Sequence, residues 1–285
     1  TSARPPARFP APLGGPPTAI TSNGTNGTVD RRAFVTSLAA SGYNNGLATD
    51  TYGLNFNTDV INFTAPADVD VNPGVITNTM RFDKAAGGTL TMTDDLFLQT
   101  GGILVTPNSG NTIITGGTIQ NNATGGGLEA VVIQQHSASG LQMNTVIQNN
   151  QTAFPIVNAQ GITKSGTGKV ILNAINTYTG TINLNEGELQ VGGTIAAPAT
   201  PTNATLGGGN NALNIAQGAL LTINSSSPTA LDFGSIQGGG NIVTTTANTQ
   251  PLLLDNDSGN WVGNLTIGAG TLHRIAGNNN ALGSN

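Results

Sequence analysis

The chain has 285 residues, with 9 Lys+Arg against 14 Asp+Glu for a net charge of -5, no cysteine, 40 glycines, and only 8% charged and 4% aromatic residues. The missing cysteine excludes a disulfide scaffold, a thiol enzyme and a thiolate metal site, while charge this sparse cannot build coiled-coil heptads. The acidic balance (pI about 4.7) argues against nucleic-acid binding, no apolar run approaches the roughly 18 residues of a membrane-spanning helix, and the glycines lack the three-residue period of collagen.

Residues 1–17 hold six of the fourteen prolines, Pro5, Pro6, Pro10, Pro12, Pro16 and Pro17, which predicts an extended, polyproline-like tail. The chain starts at Thr1 rather than Met, as suits a processed or excised segment, and no signal peptide is visible. Charge is uneven: residues 1–32 carry Arg4, Arg8, Arg31 and Arg32 against Asp30, net +3, and the remainder is net -8. A tail of this sign on an acidic body is expected to dock along its own chain or on a neighbouring subunit. Residues 1–29 are read as this tail and 30–53 as an N-terminal cap. Within the cap a short helix is predicted at 31–41, N-capped by Asp30, with Phe34, Val35, Leu38 and Ala39 on one face and Gly42 as its stop. The Arg31-Arg32-Ala33-Phe34 run superficially resembles a twin-arginine export signal, but no long apolar region follows.

From about residue 54 the texture becomes repetitive. Gly87-Gly88-Thr89-Leu90-Thr91-Met92, Gly101-Gly102-Ile103-Leu104-Val105 and Gly116-Gly117-Thr118-Ile119-Gln120 restate one pattern, the second glycines falling 14 and 15 residues apart. Each glycine pair reads as a turn and each following stretch as a short strand, the signature of a solenoid or a run of hairpins. A longer repeat appears later. At an offset of 83, Gly180, Ile182, Leu184, Gly187 and Leu189 coincide with Gly263, Leu265, Ile267, Gly270 and Leu272. At shorter offsets Gly166-Thr167-Gly168 matches Gly238-Gly239-Gly240, and Leu206-Gly207 matches Leu282-Gly283. Modules are therefore placed at about 161–235 and 236–285 of a β-rich body spanning 54–285.

The segment Gly161-Ile-Thr-Lys164-Ser-Gly166-Thr-Gly168-Lys-Val170-Ile-Leu172 continues through Asn176-Thr-Tyr178-Thr-Gly180 to Gly187-Glu-Leu189-Gln-Val191. It resembles the autotransporter-associated β-strand repeat, whose pattern runs L-x-K-x-G-x-G-x-L-x-L-x-x-x-N-x-Y-x-G, then a strand, a glycine and a further strand. The second copy departs from it at Trp261, which replaces the tyrosine, and in a degenerate Lys-x-Gly-x-Gly element. The resemblance implies an all-β, right-handed parallel β-helix exported to the cell surface, without catalytic residues.

In such a coil alternate side chains point inward. Ile182 and Leu184 are expected inside, Thr181, Asn183 and Asn185 outside, and glycines such as Gly187 and Gly270 at corners that need positive φ. At about 20–25 residues per coil, residues 54–285 give roughly ten coils and a rod about 50 Å long. Leu282-Gly283 lies inside a module, so the native chain is expected to be longer or that end to be covered by another molecule.

No catalytic, cofactor-binding or metal site is assigned. His136 and His273 stand in unrelated contexts, and His136-Ser137 adjacency does not make a triad. Gly166-Thr-Gly168-Lys169 lacks the distal glycine and the following Ser/Thr of a phosphate loop. The acid pairs Asp68/Asp70, Asp94/Asp95, Glu186/Glu188 and Asp255/Asp257 are the candidates for glycoside cleavage, and are otherwise solvated acids. Asp255-Asn-Asp257 is a partial calcium loop, with Gly259 and Thr266 where an EF-hand needs acids. Asn23 and Asn26 fit glycosylation sequons. The leading reading is a non-catalytic structural β-helix of a bacterial extracellular or cell-surface protein, self-associating head to tail through its tail. The alternatives are an autotransporter passenger that binds a surface glycan or host ligand, and a glycan-active enzyme.

Overall fold

The computed structural model describes residues 44–45, 60–63, 69–71, 75–121, 130–149, 159–209, 211–254, 260–268 and 273–275. The expected tail, the helix at 31–41, Gly270, Asp68, the Asp255/Asp257 pair, the sequons at Asn23 and Asn26, and Leu282-Gly283 all lie outside these residues. The described residues contain no helix and are all β. Their strands are β1 (Asn44–Asn45), β2 (Val60–Phe63), β3 (Val69–Val71), β4 (Val75–Phe82), β5 (Gly88–Val105), β6 (Thr112–Asn121), β7 (Ala130–Gln135), β8 (Leu141–Ile147), β9 (Gly161–Ser165) and β10 (Lys169–Leu172). They continue with β11 (Ile182–Leu184), β12 (Glu188–Val191), β13 (Asn211–Ile215), β14 (Leu220–Ile223), β15 (Leu231–Gly238), β16 (Asn241–Thr244), β17 (Leu252–Leu254), β18 (Leu265–Thr266) and β19 (His273–Ile275).

Every registered pair is parallel, and most join a strand to the one a full turn later. A run of hairpins would pair neighbours antiparallel, so the winding is that of a parallel β-helix. Three stacks of strands result. The first climbs from β1 and β2 through the end of β4, the end of β5, β7, β9, β11, β13 and the end of β15 to a bridge at Trp261. The second runs through β3, the start of β5, the start of β6, β8, β10, β12, β14, β16 and β18. The third links the start of β4, the middle of β5 and the ends of β6 and β8. Higher up, bridges at Ile175 and Thr202 continue it, followed by the start of β15, β17 and β19.

The core is a set of columns down the axis. Val131, Ile162, Ile182, Leu213 and Ile236 stack in register and are fully buried. On the second stack Leu141, Val170, Leu189, Leu221 and Ile242 do the same. Each such side chain leaves water only because a coil above and below covers it, at about 25 cal/mol per Å² of apolar surface. Ile182 and Leu184 point inward as expected, with Thr181 and Asn185 exposed, and Gly187 takes φ 70° at its corner.

The short repeat is read differently by the structure. Its three segments sit on three different stacks: residues 88–92 on the second, 102–105 on the first and 118–120 on the third. The 14–15-residue spacing is a fraction of a turn, and one coil here takes 23 or 24 residues (Met80↔Ile103, Leu90↔Ile114). Gly87 (φ 70°), Gly116 (φ 75°) and Gly117 (φ 49°) do turn the chain, whereas Gly102 pairs inside the ladder with Thr79 and Val132. Coil length also varies more than expected, from 17 residues (Asn44↔Ile61) to 32 (Val191↔Ile223).

Candidate functional site

The turn between the first and second stacks holds the most unusual side chain. Lys164 occupies an inward position of β9, in register between Ile133 below and Leu184 above, and is fully buried. A buried ammonium needs partners. Its Nζ donates to the Gly166 carbonyl and, at 2.8 Å, to the Glu186 carbonyl of the next coil. Burial pulls the amine down to about 8, against the Glu186 and Glu188 carboxylates, which favour its charged form. The glycines of this turn are demanded by the same stacking. Gly166 takes φ 81°, and a Cβ there would run into the Gln135 carbonyl one coil below. A Cβ on Gly187 would lie 2.6 Å from the Gly166 oxygen and 2.7 Å from Lys164 Nζ.

The next corner uses Asn176, which is 2% exposed. Its Oδ1 accepts from Ile147 N at 2.9 Å on the coil below, and its Nδ2 donates to Thr205 O at 2.7 Å on the coil above. The amide thus replaces strand pairing where the backbone bends away from the ladder. Tyr178 follows, wholly buried, with no partner for its hydroxyl, and burial raises its ionisation well above the usual phenol range. Trp261, 2% exposed at the corresponding place in the second module, instead donates from Nε1 to Gly240 O at 2.9 Å.

Outside the second stack, Gln142, Ile171, Gln190 and Thr222 align in register and point away from the core, yet all are buried. Residues 192–202 cover them as a strap. Ile195 N donates to Gln142 Oε1 at 2.8 Å, while Gln190 Nε2 (3.0 Å) and Asn224 Nδ2 (2.6 Å) donate to Pro198 O. Beside the strap, Lys169 Nζ lies 2.9 Å from Glu188 Oε1, which also accepts from Thr222 at 2.8 Å. The pair is part-exposed and contributes little to stability.

The residues singled out for chemistry are dispersed. His136 is exposed, while the Ser137 hydroxyl is turned inward and donates to the Ser109 carbonyl one coil below. Gly166-Thr-Gly168 is packed between two turns: a Cβ on Gly168 would meet the Ser137 oxygen and Gln135 side chain below, and one on Gly187 above would meet the Gly166 and Gly168 oxygens, so this backbone is closed to a phosphate. Glu186 is exposed and Glu188 is tied to Lys169 and Thr222. Asp95 accepts from Thr118 and Gln120 on the third stack, and Asp70 pairs with Thr91 on the second. His273 pairs with Leu252 on the third stack. Among the described residues no cluster of three metal-ligating side chains occurs, and no helix is long and apolar enough to cross a membrane. Sequence reasoning marked Lys164 as a repeat anchor without a role; its inward parity with Ile162 was the available signal. The strap carried only a run of Ala, Pro and Thr.

The arrangement defines a parallel β-helix whose characteristic polar groups hold its own backbone. Residues 162–191 match the family model described as Passenger-associated-transport-repeat, and over this stretch the chain is similar to an autotransporter-associated repeat. No curated protein and no solved structure showed significant similarity to the chain.

Proposed function

We propose that this chain is a non-catalytic structural rod of a bacterial extracellular or cell-surface protein, and that it self-associates as a scaffold or fibre element. The observation that carries this reading is the fate of the repeat's chemistry. Lys164 and Asn176 of the repeat, and Gln135 and Ser137 of the coil below, spend their hydrogen bonds on carbonyls and amides of their own and adjacent coils, leaving no convergent reactive groups among them. The passenger-associated repeat supports an exported, surface-facing location. Heterologous stacking of rods end to end would give an open filament. Negative-stain electron microscopy of the full chain tests this: filaments or paired rods are expected, whereas uniformly single short rods at every concentration would remove self-association. Single rods would favour the second reading, a passenger that displays a ligand-binding surface, for which the repeat match also speaks.

A further inference from the structure

The first stack differs from the second in what faces outward. One outward column runs Val132, Thr163, Asn183, Asn214 and Gln237 in register. Asn183 Nδ2 donates to Thr163 Oγ1 at 3.4 Å and Asn214 Nδ2 to Asn183 Oδ1 at 2.8 Å. Beside it stand Gln134, Ser165 and Asn185, with Asn185 Nδ2 donating to Ser165 Oγ at 3.1 Å. These side chains range from half-buried to exposed. Between residues 130 and 237 neither column contains a charged residue; in register below Gln134 stand Leu104 and then Arg81, which is ion-paired with Asp83. The described charges between residues 130 and 237 lie elsewhere: Lys164 inward, Lys169 and Glu188 on the second stack, Glu186 in the turn, Asp232 on the third stack. The strap meanwhile covers the outward column of the second stack.

We propose that this charge-free stretch of the first stack's outer face, between residues 130 and 237, docks a second copy of the same chain, side by side. The proposal rests on the self-association reading and gives it a lateral surface, distinct from the rod ends. Three features select this occupant. The rungs repeat at the strand spacing of about 4.8 Å, so only a partner with the same repeat matches rung for rung without slipping. Side-chain amides offer donors and acceptors together, which makes such a face complementary to itself. The face also lacks charge on a chain of net -5, so two copies approach here without like-charge repulsion. Bare amide columns without aromatic side chains are a poor platform for sugar rings.

The test is sedimentation equilibrium of the full 285-residue chain. A reversible dimer is expected. Asn185→Arg/Gln237→Arg, at two exposed positions of the face, should weaken it at least tenfold, while Ala199→Arg on the exposed strap leaves it unchanged. Because the chain has no cysteine, Asn185→Cys should form an interchain disulfide on oxidation and Ala199→Cys should not; this arm decides the matter even if the double arginine variant fails to fold. A charged variant that dimerises like the wild type overturns the face assignment and leaves self-association standing. A wild type that stays monomeric at all concentrations overturns both. A monomeric wild type retained on an insoluble neutral polysaccharide, with retention lost in the double variant, overturns the proposal in favour of a glycan partner.

Discussion

Lys164 shows how one buried charge serves a backbone rather than a reaction. Its amine sits in an aliphatic column because two carbonyls of adjacent turns converge there. Lys164→Met would keep the column filled but leave both oxygens without their donor. A loss of about 2 kcal/mol in urea unfolding is expected. The pH dependence has a definite sign. The folded amine ionises at about 8 and the unfolded one at 10.5, so between these values the unfolded chain binds more protons and stability rises with pH. Above about pH 10 Tyr178 opposes this, because it ionises in the unfolded chain and resists ionisation when folded. Urea titrations at pH 7.5, 8.5 and 9.5 should therefore show increasing stability in the wild type and a flat profile in Lys164→Met. The orphan hydroxyl of Tyr178 gives a companion prediction: Tyr178→Phe removes an unpartnered buried group and should be neutral or stabilising, by about 1 kcal/mol, in thermal unfolding.

Turns are where sequence and structure agree least evenly. Gly166 and Gly218 share a positive φ, 81° and 84°, but a Cβ at Gly218 meets nothing within 4 Å while one at Gly166 strikes the Gln135 backbone. Gly218→Ala should cost about 1 kcal/mol from backbone strain alone, and Gly166→Ala more than twice that, measured by chemical unfolding. The inward pair Ile182 and Leu184 and the corner at Gly187 were legible because alternation and a lone glycine are local signals. The coil period was not. Strands of the three stacks share one composition, so Gly88, Gly102 and Gly117 mimic a repeat that is only part of a turn. The strap was hidden for another reason: its Ile195 bonds to Gln142, 53 residues away, and nothing local in an Ala-Pro-Thr run encodes that contact. The candidate site was legible as a motif and not as a mechanism, since the two carbonyls that hold Lys164 converge only once adjacent coils are in register.

At the scale of the rod, the core of each coil packs on those above and below it, while the strap reaches two coils down, from Ile195 to Gln142. Leu213 lies over Ile182, which lies over Ile162. Deleting residues 182–212 would set Leu213 over Ile162 and Ile215 over Lys164, and bring Gly218 toward the place of Gly187. Such a chain is expected to keep its β circular dichroism and cooperative unfolding, with a smaller m-value for the lost coil. Collapse to a disordered chain would show that coils 182–212 and their neighbours do not stack as independent layers.

The outer ladders are tied by Asn, Thr and Ser rather than by ions, from Asn185 on Ser165 to Asn214 on Asn183. Counter-ions screen interactions between exposed charges, with a decay length of about 10 Å at 0.1 M salt, but they leave an amide donating to a hydroxyl almost untouched. Brine, fresh water and acid would therefore find those cross-ties equally taut, as the extracellular rod proposed above requires.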